Sequence, residues 1–210
     1  MAAPVTVVDH PLLQDALARL RDRTTPPPAF RTLTRRAGQA LGFEALRDLP
    51  LRRTTVTTPL TEAEVSLMEE PLPAFVTILR AGNGLLEGLM DLIPEAPVGH
   101  LGLYRDHKTL QAVEYYRRLP PLLSKRIVLV CDPMLATGHT SVAALDRLRE
   151  SGAGEIRYLC ILAAPEGIAA LHAAHPEVPI WTGSVDLRLN DRGYILPGLG
   201  DAGDRLYGTV

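Results

Sequence analysis

Residues 127–141 read IVLVCDPMLATGHTS. The apolar run Ile127–Cys131 stops at an acid, Asp132, and a segment with helical spacing runs from Thr140 to Glu150. Between them lies a short loop of small and hydroxyl residues that includes Ala136, Thr137 and Gly138. A buried strand that feeds a tight loop and then a helix N-terminus is a general way to build an anion site. The unbonded N–H groups and the helix dipole both point at the loop. Gly138 permits the turn and a close approach of the backbone to the anion, and the hydroxyls of Thr137, Thr140 and Ser141 add donors. Asp132 would repel an anion, so its place fits an acceptor for sugar hydroxyls or a group that helps hold a cation. No Lys follows Gly138, which excludes the Walker A pattern, and the dinucleotide fingerprint GxGxxG is also absent. An ordinary strand–loop–helix connection could carry the TGxT element by itself.

The flanking sequence alternates in type. Strands are expected at Ala74–Leu79, Val98–Leu103, Ile127–Asp132, Ile156–Ala163 and Ile180–Val185, and helices at Leu85–Ile93, Thr140–Glu150 and Pro165–Ala174. Short apolar strands alternating with amphipathic helices imply an α/β fold with a parallel sheet covered on both faces. Ligands of such sheets sit at the carboxyl ends of the strands, where Arg80, Arg105 and Asp132 fall. Upstream, residues 10–22 and 30–47 carry apolar groups at helical spacing, with the TTPPP run (Thr24–Pro28) as a turn between them, and Leu51–Thr58 is β-prone. Tyr104–Pro120 is a polar and aromatic excursion. In residues 186–210, Pro197 and a scatter of glycines (Gly193, Gly198, Gly200, Gly203, Gly208) argue against a regular helix or a central strand. Ile195, Leu196, Leu199, Leu206 and Tyr207 make the segment too apolar for a free tail, so it is expected to fold over the sheet edge as a hood.

At 210 residues the chain can bury one sizeable core, and 46% hydrophobic with 22% charged residues is ordinary for a soluble globular protein. No apolar run reaches membrane-span length. The start, MAAPVTVVDHPLL, lacks a basic segment followed by an apolar one, so no secretory leader is expected. Cys131 and Cys160 sit inside apolar runs and read as buried reduced thiols, which favours the cytoplasm. A net charge of −2 gives nucleic acid nothing to gather on. His172 and His175 stand near a helix end without a third ligand and read as surface polar groups.

The acid at a strand end followed by Thr137-Gly138-His139-Thr140 resembles the phosphoribosyl-pyrophosphate (PRPP) signature of the type I phosphoribosyltransferases. The fuller string DPMLATG (Asp132–Gly138) is similar to that of the uracil phosphoribosyltransferases. The likeness extends in one consistent order from His10 to Thr209. It takes in ILRAGNG (78–84), GHLGLYRD (99–106), VEYY (113–116), AAPEGIAAL (163–171), AHPEV (174–178) and GYILPGLGDAGDRLYGT (193–209).

The resemblance implies a type I phosphoribosyltransferase fold, a central mostly parallel sheet flanked by helices with a C-terminal hood over the site. One domain would span 1–210, with N-terminal helices, a core over roughly 60–185 and the hood over roughly 186–210. The implied activity converts uracil and PRPP to UMP and diphosphate in pyrimidine salvage. The implied catalytic set is Arg80, Arg105, Asp132 and Asp201. PRPP would be held by Arg80, Arg105, Asp132, Pro133, Met134, Leu135, Ala136, Thr137, Gly138, His139, Thr140 and Asp201. Uracil would be read through main-chain groups of Ile195, Gly200 and Ala202, beside Asp201.

Arg80 and Arg105 suit bidentate phosphate contacts, and the small Ala81, Gly82 and Gly84 would let N–H groups reach the same oxygens. Mg²⁺ is expected to arrive as Mg-PRPP, with no direct protein cage. The resemblance also implies a homodimer or higher homo-oligomer, GTP as an effector in some members, neither nucleic acid nor membrane as a partner, and a mobile loop over 104–120. The bland alternatives are a surface salt bridge for Arg80, a local pair with Asp106 for Arg105, and hairpin packing for Tyr115 and Tyr116.

The chain departs from the family pattern at Asn83, where leucine is usual, at His139, where a second glycine is usual, and at Thr140, where serine is usual. Pro133 takes the place of a second acid, as in the uracil branch, and Asp201 could compensate for it. Two other readings compete with catalysis: an RNA-binding regulator of the same fold, which would need a basic face, and a ligand-binding relic.

Overall fold

The computed structural model describes residues 2–105 and 112–209. The chain opens with β1 (Val5–Val7), α1 (Pro11–Arg21) and α2 (Pro27–Ala45), followed by β2 (Leu51–Thr57) and β3 (Glu62–Met68). The alternating segment comprises β4 (Ala74–Leu79), α3 (Asn83–Leu92), β5 (Val98–Arg105), β6 (Ala112–Arg118), β7 (Ile127–Cys131), β8 (Met134–Leu135), α4 (His139–Glu150), β9 (Glu155–Ala163), α5 (Pro165–Ala174) and β10 (Ile180–Val185). The last elements are β11 (Arg188–Leu189), β12 (Ile195–Leu196) and α6 (Ala202–Tyr207).

The main sheet has the order β1-β10-β9-β7-β4-β5-β6, with β8 added beside β9. Every pairing in it is parallel except β5–β6. β4, β7 and β9 are almost wholly buried and predominantly apolar, as strands covered on both faces must be. Their side chains alternate between two cores. Leu129 and Cys131 face one core with Leu13, Leu41 and Leu85 from α1, α2 and α3. Val128 and Val130 face the other, with Leu145 and Leu148 from α4 and Leu171 from α5. Cys131 and Cys160 therefore lie in different cores, and both are free thiols that burial pushes up to about 12.

This layout creates a switch point. From β4 the chain crosses through α3 on one face to β5; from neighbouring β7 it crosses through α4 on the opposite face to β9. Between two strands whose crossovers diverge, the loops part and leave a crevice at their carboxyl ends. β4 and β7 are paired there in register, Thr77 opposite Cys131.

Several elements depart from expectation. α2 begins at Pro27, because proline at the first helical position needs no N–H bond. β6 makes an antiparallel hairpin with β5 inside the presumed excursion, and the part of the mobile-loop expectation on residues 106–111 lies outside the described residues. The tail is not free of helix. Asp201 caps α6 by accepting the Asp204 N–H at 2.9 Å, Leu206 anchors it in the core, and Gly208 ends it at φ 68°. His175 is buried and its Nε2 lies 3.1 Å from Asp146, tying α5 to α4, so it is no surface group. Among the described residues, no helix is long and apolar enough to cross a membrane.

Candidate functional site

Beyond β7 the chain leaves the sheet gradually. The Pro133 carbonyl accepts from Ile161 (3.0 Å) and Leu162 (3.1 Å), and Leu135 O accepts from Ala164 N at 2.9 Å. These bonds bury Pro133 and Leu135 as scaffold. Neither residue, both expected beside PRPP, borders the cleft described below, and Leu135 lies in the core between the sheet and α4–α5. The loop then turns at Gly138, whose φ of 81° suits glycine. A Cβ there would stand 2.8 Å from Ala170 Cβ and 2.9 Å from Gly167 O, so α5 braces the turn from behind.

The turn opens α4 without a side-chain cap. From Ala136 through Ser141 no main-chain N–H finds a partner among the described residues. Such a run at a helix start is an anion cradle. Thr137 and Thr140 stand beside it, partly exposed. Ser141 does not join them: it is buried, with its hydroxyl 2.6 Å from that of Tyr158. His139 is exposed, starts α4 and has no positive φ, so it carries no backbone strain.

The turn after β4 faces the same crevice. The Gly82 and Gly84 N–H groups bond internally, to Ile78 O at 3.0 Å and Ala81 O at 3.2 Å, so they are not available as expected. The Ala81 N–H has no partner among the described residues. Arg80 is exposed, and its Nη2 reaches only to 3.5 Å from Asp204 Oδ1. Its guanidinium lies 5.7 Å from the centre of the Tyr207 ring, and the Tyr207 hydroxyl donates to Arg80 O at 3.0 Å. A pair this long and exposed contributes little to stability, so Arg80 is loosely held and can turn to an anion. The backbone of Arg105 ends β5, but the side-chain role expected for it and its pairing with Asp106 lie outside the described residues.

The hood supplies the opposite wall. A cleft of ≈ 270 Å³ is bounded by Asp132, Met134 and Ala136 on one side and by Ile195, Gly200, Asp201 and Ala202 on the other, with Ala81, Gly193, Tyr194 and Gly203 between. The loop after β7 and the glycine-rich tail thus meet in space. The N–H groups of Gly200, Asp201 and Ala202 have no partner among the described residues, and Ile195 O accepts nothing from outside the β11–β12 hairpin. Tyr194 lines the cleft and Asp204 and Tyr207 contact Arg80 beside it, although none of the three was read from the sequence as a site residue. Tyr194 carried no signal, whereas Asp204 and Tyr207 sit at helical spacing from Asp201 and from each other.

Asp132 is the electrostatic anomaly. Burial raises its carboxyl to about 7, the Met134 N–H opposes this, and the Asp201 charge raises it further. Neither acid forms an ion pair among the described residues, and no cluster of three ligating side chains accompanies them. Two acids without a basic partner fit a cation that brings its remaining ligands with it.

A family model described as uracil phosphoribosyltransferase matches residues 7–209. A curated uracil phosphoribosyltransferase of Sinorhizobium fredii is 55% identical over 205 residues, covering 98% of each chain, and that of Agrobacterium fabrum is 52% identical with the same coverage. A solved structure of a protein from Aquifex aeolicus superposes with a TM-score of 0.92 at 40% identity, covering 98% of each chain. An adenine phosphoribosyltransferase from Trypanosoma brucei, at 14% identity and TM-score 0.57 over 90% of this chain and 86% of its own, shares the fold.

Gly138→Ala puts a side chain into a left-handed turn and against α5. Urea denaturation should show a stability loss of about 1–3 kcal/mol. His139→Ala, at the exposed neighbouring position, should shift it by less than ~0.5 kcal/mol. Equal effects at the two positions would contradict the braced turn.

Proposed function

The chain belongs to the uracil phosphoribosyltransferase family, and from that premise we infer that it joins N1 of uracil to C1 of PRPP, giving UMP and diphosphate in pyrimidine salvage. The observation that carries this reading is a pair of unpartnered main-chain donor rows, Gly200–Ala202 along one wall of the cleft and Ala136–Ser141 running from its opposite wall at Ala136 into the start of α4.

The roles follow from the chemistry of each group. The amides from Ala136 to Thr140, with the Thr137 and Thr140 hydroxyls, take the 5′-phosphate. Asp132, below them, accepts from the ribose hydroxyls. Arg80 and the Ala81 N–H lie at the mouth of the crevice and neutralise the departing diphosphate. Uracil presents an N3–H between two carbonyls. Ile195 O can accept from that N3–H, while the N–H groups of Gly200 and Ala202 donate to the carbonyls. Cytosine would set an amino group against a donor, leaving an unpaired polar group at a cost of about 1–3 kcal/mol.

Magnesium comes as part of Mg-PRPP, with Asp132 and Asp201 as the acids able to face it; bound there, it supplies positive charge to the phosphates. The transition state carries oxocarbenium character by family likeness, so placement of charge outweighs any strong base, and no side chain is nominated as one.

The β2–β3 hairpin supports the further reading that the chain works as a homo-oligomer. It forms a separate two-stranded sheet and exposes Val56, Leu60, Leu67 and Met68. Two-stranded hairpins are marginal alone, and a second copy would cover this one.

Steady-state assay with saturating Mg-PRPP should give UMP from uracil, with cytosine and orotate at least tenfold poorer in kcat/KM. Absence of UMP would leave only a binding protein. The pH profile carries its own sign. The Asp132 carboxyl sits at about 7 rather than at 3.8, so the folded chain favours its protonated form. Its contribution to stability is greatest below 3.8 and is lost as pH rises toward 7. Accepting ribose hydroxyls needs the carboxylate, so kcat/KM for PRPP should climb with pH through about 7. Asp132→Asn should flatten that limb, leaving the titration of the substrate phosphates near ~6, and should raise the melting temperature at pH 8. An unchanged limb in the variant would remove Asp132 from this role.

A further inference from the structure

The base-reading turn is held by an ion pair that lies outside the cleft. Arg21, the last residue of α1, grips Asp186 with both ends of its guanidinium, at 2.7 Å to Oδ2 and 2.6 Å to Oδ1. The pair is largely buried, with side chains 24% and 3% exposed. It is also fully engaged. Asp186 Oδ2 accepts the Gly198 N–H at 2.9 Å, Oδ1 accepts the Ser184 hydroxyl at 3.0 Å, and Arg21 Nη1 donates to Gly198 O at 2.9 Å. The N–H and the C=O of Gly198 are therefore both fixed by the same pair. Asp186 itself is fixed to the sheet, its N–H donating to Ala163 O at 2.8 Å.

The geometry leaves the turn little freedom. Gly198 has a φ of 64°, and any Cβ there would run into Ile195 O. Just beyond it, Leu199 O accepts from Arg205 Nη1 at 2.8 Å, and Arg205 also reaches Leu20 O and Asp22 O on either side of Arg21. Residues 198 and 199 are thus tied to the C-terminal end of α1, the first through Arg21 and the second through Arg205 of α6. Ile195 precedes the clasp, and Gly200 and Ala202 follow it, so every main-chain group assigned to uracil lies within three residues of a fixed peptide.

Burial alone would raise the Asp186 carboxyl, but the Arg21 guanidinium, the Gly198 N–H and the Ser184 hydroxyl outweigh it and hold it below the usual carboxylate range. Asp186 is therefore charged across the neutral range, and the clasp does not open by titration there. Neither Arg21 nor Asp186 borders the cleft, so neither can touch the base or PRPP from its present place.

We propose that Arg21 and Asp186 are positioning residues for base recognition: their bidentate pair fixes the Gly198 peptide and so sets the spacing between Ile195 O and the N–H groups of Gly200 and Ala202. This rests on the reading of residues 195–202 as the uracil contact. It adds a determinant that lies between α1 and β10, away from the PRPP wall. Misplacing a recognition group by about 1 Å costs on the order of a hundredfold, so small slips at Gly198 should matter. The phosphate loop after β7 is braced separately, by β9 and α5, and should not move with it.

The test compares the full-length wild type with Arg21→Lys, Asp186→Asn and the double variant. Arg21→Lys keeps the charge but loses the planar fork, which protects against outright unfolding; circular dichroism confirms the fold of each protein. KM for uracil should rise at least tenfold in each folded variant, while KM for PRPP rises severalfold less, because Asp201 is its one contact carried by the turn. The uracil-to-cytosine ratio of kcat/KM should fall. The double variant should be about as impaired as either single one, because one interaction is being removed. Equal rises in both KM values, or an unchanged uracil KM in folded Arg21→Lys, would overturn the proposal even if the variants melt earlier, since a merely structural pair would produce that pattern. A wild type that makes no UMP while still binding PRPP by calorimetry would instead defeat the functional reading on which the proposal rests.

Discussion

The in-register pairing of β4 with β7, with Thr77 opposite Cys131, is the constraint from which the site follows. It brings the turn that carries Arg80 and the loop that carries Asp132 off the sheet side by side. The crossovers through α3 and α4 then diverge to opposite faces, so the two loops cannot close over each other and a crevice remains. Both cores contribute to this arrangement, since alternate residues of β7 are locked into each. A slip of one residue would exchange the faces of the strand and turn its apolar side chains into the wrong core.

Sheet topology builds only one wall of the cleft. The other wall comes from the tail, which is tied to the end of α1 by Arg21 of α1 and by Arg205 of α6. Each wall offers main-chain N–H groups without protein partners, and the cleft floor carries two acids that repel each other. Close like charges cost free energy in a folding domain, and the open N–H groups must be met by water until a ligand replaces it. A ligand with phosphate oxygens, carbonyl acceptors and an attached cation relieves all of them together. The order of the chemistry along the cleft follows from this: anion cradle, sugar acceptor, then base.

The sequence made the central strands legible because β7 is an unbroken apolar run and β4 and β9 are mostly apolar, and α5 was readable from its proline start to its alanine end. β1 was too short to register, and β6 was hidden among polar and aromatic residues. α6 was obscured by glycines, whose cost a cap at Asp201 and an anchor at Leu206 offset. In the site, Asp132, Gly138 and the tail glycines announced themselves through residue type. The loss of Gly82, Gly84 and Ser141 as donors could not be foreseen, because it depends on hydrogen bonds to Ile78, Ala81 and Tyr158. Asp186 and Arg21 stand far apart in sequence, and no local pattern joins them.

The central claim is that one ligand spans the two donor walls, and a crystal structure with UMP bound tests it most directly. The account predicts the phosphate against the amides of Ala136–Thr140, the ribose hydroxyls at Asp132 and the uracil ring against Ile195, Gly200 and Ala202. A nucleotide bound with its base away from residues 195–202, or with its phosphate away from the start of α4, would contradict it.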